Sequence, residues 1–260
     1  MNQLQTIAEG ANGHMNIMPL EREIKMQEKV VLRLVPRSVT LTLSLITALL
    51  LIAHLGIVAL GYLGNMAPES YDKLRHFFHF NDEENLPTFF SSILLLFAAA
   101  LFFIIGKLHS KASRNNGKWL LLGAVMLFLC LDESLQIHER VNTVTRSFIK
   151  NDVSGFLFWA WILPYTILFV VVSLYFLKFY LQLPKKTKVL FFIAAALYFF
   201  GAVVIESIEG HFGKIYPSYH PIFVFTITVQ ELLEMVGVIV LIHALLDYIA
   251  AQFKEISLTQ

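Results

Sequence analysis

The chain has 260 residues, of which 57% are hydrophobic and 15% charged, with a mean hydropathy of +0.65. That is more apolar surface than a soluble core of this length can bury, which excludes an ordinary soluble domain and predicts an integral membrane protein. A formal net charge of +1 offers no basic field for nucleic acid, and the single cysteine, Cys130, rules out an intrachain disulfide framework or a thiolate metal cluster.

Residues 1–37 read as a cytoplasmic tail without a cleavable signal. Leu20, Ile24, Val31 and Leu34 lie near helical spacing, with Arg and Lys on other faces, as suits an amphipathic helix on a membrane surface. Residues 38–250 hold six segments of about 20 or more mostly apolar residues, the length a spanning helix needs. They are expected at 38–64, 86–106, 118–139, 156–182, 187–210 and 222–250, followed by a short cytoplasmic tail over 251–260. Pro164 is expected to kink the fourth, while Pro87 and Pro221 fall near span starts, where a missing N–H costs little. The fold class is therefore all-α, a bundle of six transmembrane helices.

Basic residues orient the bundle. Fourteen of the twenty Lys and Arg residues fall on the side holding both termini, the second loop and the fourth loop, and six on the other. The positive-inside rule then places both termini in the cytoplasm, here that of a bacterial inner membrane. Trp159, Trp161, Tyr216 and Tyr219 fall where an outer aromatic belt is expected.

With that orientation, the acids gather in one leaflet. Asp132, Glu133, His138 and Glu139 end the third span, Glu206, Glu209 and His211 end the fifth, and Glu231 and Glu234 lie in the outer half of the sixth. Glu83 and Glu84 precede the second span. In a regular helix Asp132, Gln136 and Glu139 share a face, whereas His138 joins them only if the last turn loosens. An ionised carboxylate in hydrocarbon costs at least a few kcal/mol, so these groups must share protons, pair with cations or bind metal.

Carboxylates and an imidazole projecting from antiparallel helices are how bundles build di-metal sites. Asp132, Glu133, His138, Glu139, Glu206, Glu209, Glu231 and Glu234 are thus candidate ligands of a divalent metal ion, with Glu83, Glu84 and His211 as additions. Oxygen-rich ligation suits Mn, Fe, Mg or Ca, and Zn if histidines join. The functional expectation is a metal-dependent enzyme acting on a lipid or other membrane-soluble substrate. Alternatives are a cation or proton transporter or sensor using the same acids, and a structural membrane scaffold; the expected partners are membrane lipid and a second copy of the chain or another membrane protein. His54 and His243 also lie within spans, but toward opposite surfaces, which argues against a shared haem.

The LDExxxxHE run at Leu131–Glu139, the ExxEMxG run at Glu231–Gly237 and the NLPTFFSSILLL segment from Asn85 resemble those of a group of bacterial multi-pass membrane proteins with no assigned function. The resemblance supports reading these acids as one unit and implies no activity.

Overall fold

The computed structural model describes residues 35–64, 67–109, 116–149, 155–213, 215–217 and 220–253. The expected surface helix of the N-terminal tail lies outside them. Among the described residues every regular element is helical. These are α1 (Pro36–Leu63), α2 (Pro68–Phe78), α3 (Leu86–Leu108), α4 (Asn116–Leu135), α5 (Ile137–Phe148), α6 (Ile162–Gln182), α7 (Lys185–Phe199), a π-helical stretch (Phe200–Ile205), α8 (Glu206–Gly213) and α9 (Pro221–Gln252). A single 3₁₀ turn, Gly155–Leu157, precedes α6.

Five helices are long and apolar enough to cross a membrane: α1, α3, α6, the continuous run Lys185–Gly213, and α9. The third expected span is a pair instead. Helices α4 and α5 pass the same test only together, and they are bent 83° against each other. The break falls at Gln136, whose φ of 53° and ψ of 44° are left-handed, so the straight helix expected to run to Glu139 ends at Leu135. Helix α5 then carries Ile137, Val141, Val144 and Phe148 along one stripe, and its polar side is tethered. Asn142 Oδ1 accepts from Ala160 N at 2.7 Å, and the Arg146 guanidinium donates to the Phe158 carbonyl and stacks on its ring. An amphipathic segment turned off an apolar helix suits the membrane surface better than its interior.

The kink expected at Pro164 does not form, because α6 starts at Ile162 and the proline falls in its first turn, where no helical N–H partner is lost. Entry into α3 is fixed by Asn85, whose side-chain oxygen accepts from Thr88 N and whose amide donates to the carbonyls of His79 and Asp82. His220 caps α9 in the same manner through Ile222 N.

Helix α9 is the central post, packed on α1, α3, α7 and the π-stretch. Ile242, Leu245, Leu246 and Ile249 are almost wholly enclosed within the bundle. Backbones approach closely at Gly237, where a Cβ would meet Tyr198 N at 2.9 Å and Ala194 O at 3.0 Å. A small residue there lets α9 and α7 pack tightly, which is how helices associate where solvent supplies little hydrophobic drive. Helix α6 lies at the periphery. Its Ile167, Val171, Leu174 and Leu181 face outward, as lipid-facing positions should.

At the basic end, Trp119, Phe102, Phe191, Tyr248 and Phe179 close the bundle with edge-on and tilted ring contacts. His243 Nδ1 meets the Thr40 hydroxyl there at 2.8 Å. His54, fully enclosed near the opposite end, accepts from Phe80 N through Nδ1, which leaves Nε2–H to donate to Thr228 at 2.9 Å. Both intramembrane histidines are thus used in packing the bundle.

Candidate functional site at the acidic end

The loop before α3, the end of α4, the start of α5, the Lys185–Gly213 run and α9 bring acids and His138 to one end of the bundle, but six of the eight candidate ligands form three groups rather than one shell, with Glu231 near the second group and Glu139 apart. The first depends on the break at Gln136. By turning α5 back, it brings His138 Nδ1 to 3.4 Å from Asp132 Oδ2, while His138 Nε2 faces Glu83 Oε1 at 3.6 Å. Tyr165 of α6 donates to the other Asp132 oxygen at 2.7 Å. The imidazole therefore stands between two carboxylates, with the Trp161 ring 5.4 Å away.

The second group lies deeper. Glu133 and Glu234 open onto a small cavity with Ser91 and Tyr198, walled by Leu94, Leu95, Met235 and Val238. Its volume of about 10 Å³ gives room for roughly one water. The third group is on the π-stretch side. Glu206 Oε1 accepts from the Trp161 indole at 3.0 Å, and the Gln230 amide lies 3.5 Å from Glu206 and 3.4 Å from Glu234, linking this group to the second. Glu209 is buried beside Trp159.

The π-stretch is part of this arrangement. Gly201 leaves room for the Gln230 carbonyl and the Glu234 side chain, each of which would stand 2.9 Å from an added Cβ. A π-turn also shifts the phase of everything after it, which aims Glu206 at Trp161 and Gln230. The groups are electrically one region. Glu133 feels the charges of His138, Glu83 and Asp132, Glu231 those of Glu234, Glu133 and Glu209, and Glu234 those of Glu133 and Glu206.

Three candidates fall elsewhere. Glu139 is exposed on α5, because the bend rotates it off the stripe it would share with Asp132 in a straight helix. His211 stacks on Phe156 at 5.0 Å instead of facing the acids. Glu84 is exposed with a left-handed φ of 55°. Among the described residues no three His, Cys, Asp or Glu side chains already converge on a common point as metal ligands do.

The loop leading into α3 supplies polar groups outside the spans. Burial raises the Asp82 carboxyl despite the nearby Arg75 and His76, and Arg75 pairs with it at 3.1 Å. Burial, with the charges of His54 and Arg75, holds the His79 imidazole down at about 3.

Sequence reasoning missed Tyr165, Tyr198, Gln230 and Ser91. Gln230 had a usable signal, an amide four residues before Glu234 inside an apolar run. Trp161, expected at an outer aromatic belt, is buried with its N–H on Glu206.

No curated protein and no solved structure matches this chain. A family model described as a domain of unknown function, DUF8692, matches residues 43–249. That match takes in nearly all of the helical bundle and every residue of the three acidic groups, and the chain belongs to the DUF8692 family.

Proposed function

We propose that this polytopic membrane protein binds a divalent metal ion at its acidic end, near the extracytoplasmic face of a bacterial inner membrane, as the centre of an enzyme acting on a lipid or other membrane-soluble substrate. The observation that carries the reading is a surplus of interior acceptors. Glu133, Glu206, Glu231 and Glu234 crowd one region, and the imidazole within reach, His138, is engaged by Asp132 and Glu83. Glu83 Oε2 and Gln230 Oε1 are buried without a hydrogen-bond partner among the described residues. At an effective dielectric of about 20, two carboxylates 4 Å apart repel by roughly 4 kcal/mol, a penalty that a divalent cation reverses.

The donors fit such an ion chemically. Glu133 and Glu234 come from different helices and share one cavity, and carboxylate oxygens with a single nearby imidazole suit Mn, Fe, Mg or Ca, with Zn open through His138. Since the side chains are not already converged, binding requires new rotamers for these glutamates. A bound ion would supply Lewis-acid activation of water or of a substrate oxygen. Gln230 would orient Glu206 and Glu234, Tyr198 would present its phenol beside Glu234 and Glu133, and Leu94, Leu95, Met235 and Val238 would keep bulk water out.

A carrier would need a polar path to the other surface. The aromatic closure around Trp119 favours a one-sided site instead.

The test is elemental analysis of detergent-purified full-length protein beside the double variant Glu133→Gln, Glu234→Gln. About one equivalent of metal in the wild type, lost in the variant, is expected. Metal-free wild type, or a variant that keeps its metal, would overturn the reading.

A further inference from the structure

We propose that the groove between α2 and the start of α3 is the binding site of the substrate, a lipid whose polar end is a hydroxyl group rather than a phosphate. As a substrate site it rests on the function proposed above, while its geometry stands alone. The groove encloses about 590 Å³, within the range of small-molecule sites.

Its position relative to the acids is the first argument. Ser92 and Ser134 line the groove, and their sequence neighbours Ser91 and Glu133 line the inner cavity. The partition is thus one residue pair thick, closed by the Ser134 hydroxyl, which donates to the Cys130 carbonyl at 2.8 Å and lies 3.0 Å from the Ser92 hydroxyl. A polar group lying on the serines would rest one layer from Glu133.

The second argument is the rim. Phe77, Leu86 and Phe89 are 61%, 42% and 63% exposed, and the exposed track continues along α3 through Ile93, Leu96 and Ile104. From residue 89 to 104 that track runs roughly 22 Å at 1.5 Å per residue, more than half the thickness of a bilayer's hydrocarbon. An aliphatic chain leaving the groove therefore has an apolar helix face to follow without crossing water.

The third argument is charge. Among the described residues the lining includes no Lys or Arg, and its one carboxylate is Glu84. A phosphate headgroup would meet that carboxylate with no cation but His76 to offset it, whereas hydroxyl groups donate and accept equally with serine and carboxylate partners. The left-handed backbone at Glu84, unusual for a non-glycine residue, holds this side chain at the groove.

The test uses full-length protein in detergent and hexadecanol carrying a diazirine in its chain, with labelled peptides mapped by mass spectrometry. Saturable labelling on α2 and the first turns of α3 is expected, displaced by unlabelled hexadecanol and not by hexadecyl phosphate. Ser134→Phe fills the groove and should cut labelling about tenfold, and Phe89→Ala, an exposed change that spares the fold, about threefold. The variant Glu133→Gln, Glu234→Gln should label like wild type, so loss of metal with labelling intact would fail the metal reading alone. Labelling spread evenly over α6 and α3, equal displacement by the phosphate, or full labelling of a folded Ser134→Phe protein would overturn the groove.

Discussion

Asp132 and His138 are six residues apart and lie on either side of a helix break, yet a carboxylate oxygen of one stands 3.4 Å from a ring nitrogen of the other. In an unbroken helix these side chains would point about 120° apart, so the contact exists because Gln136 adopts a left-handed conformation. Such a conformation costs a non-glycine residue roughly 1–2 kcal/mol. Gln136→Gly is expected to keep the bend and raise the unfolding midpoint by an amount equivalent to about 0.5–1 kcal/mol. Gln136→Val should lower it, since a β-branched residue tolerates positive φ least. Equal midpoints for the two variants in thermal unfolding would show that the bend is not held at this residue.

The imidazole between Asp132 and Glu83 gives a second expectation. Removing it in His138→Ala leaves two acids facing each other and should destabilise the protein by about 1–3 kcal/mol. Adding Glu83→Gln removes one of the acids and should recover part of that loss. A double-mutant cycle on His138 and Glu83 checks it, with a coupling near zero as the contrary result.

Sidedness is open to direct chemistry. Lys186 is exposed beside Asp247 at the basic end, and Glu69 is exposed on α2 at the acidic end. With Cys130 replaced by Ser, a cysteine at position 69 should react with an impermeant maleimide in intact cells, and one at 186 only after permeabilisation. The reverse pattern would place the acidic groups on the cytoplasmic side.

How much of this could be read from the residues depends on the scale. The long helices were legible because a run of about 20 apolar residues has few other folds open to it. The gathering of acids at one end followed from the alternating direction of the spans, and the resemblance carried by the Leu131–Glu139 and Glu231–Gly237 runs pointed to the same unit. Grouping within that end was not legible. It turns on the break at Gln136, a residue type with no turn preference, and on a π-turn at Phe200–Ile205 that changes the phase of Glu206. The break is accompanied by the tether of Asn142 to Ala160 and the π-turn by the close approach of Gly201 to the Gln230 carbonyl, tertiary contacts that no local pattern announces.

Acid should expose the His79 loop. The His79 imidazole has an ordinary value of 6.5 and is held at about 3 by burial and its neighbours' charges, so the folded state stays neutral there while the unfolded chain takes a proton. Its contribution is complete above pH 6.5 and is lost as pH falls from about 6.5 toward 3, with a slope of up to about 1.4 kcal/mol per pH unit. His79→Asn keeps an acceptor for Asn81 N and removes the titration. Unfolding midpoints of wild type and variant should therefore converge as pH is lowered through that window. Parallel curves would show that His79 does not carry the effect.

The helix contact at Gly237 gives the most severe packing test. A Cβ there would stand 2.9 Å from Tyr198 N and 3.0 Å from Ala194 O, both backbone atoms that cannot swing aside as a side chain would. Gly237→Ala must therefore separate α9 from α7, at a cost of about 1–3 kcal/mol, even though alanine is the better helix former. The shift would also be felt one turn away, where Glu234 shares its cavity with Tyr198 on α7. Gly56 in α1 has no heavy atom within 4 Å of an added Cβ, so Gly56→Ala should instead stabilise by roughly 0.5–1 kcal/mol. Opposite signs for two identical substitutions, read from thermal unfolding in one detergent, would separate close approach from helix propensity. If both variants stabilise, α7 and α9 are not in contact at this point.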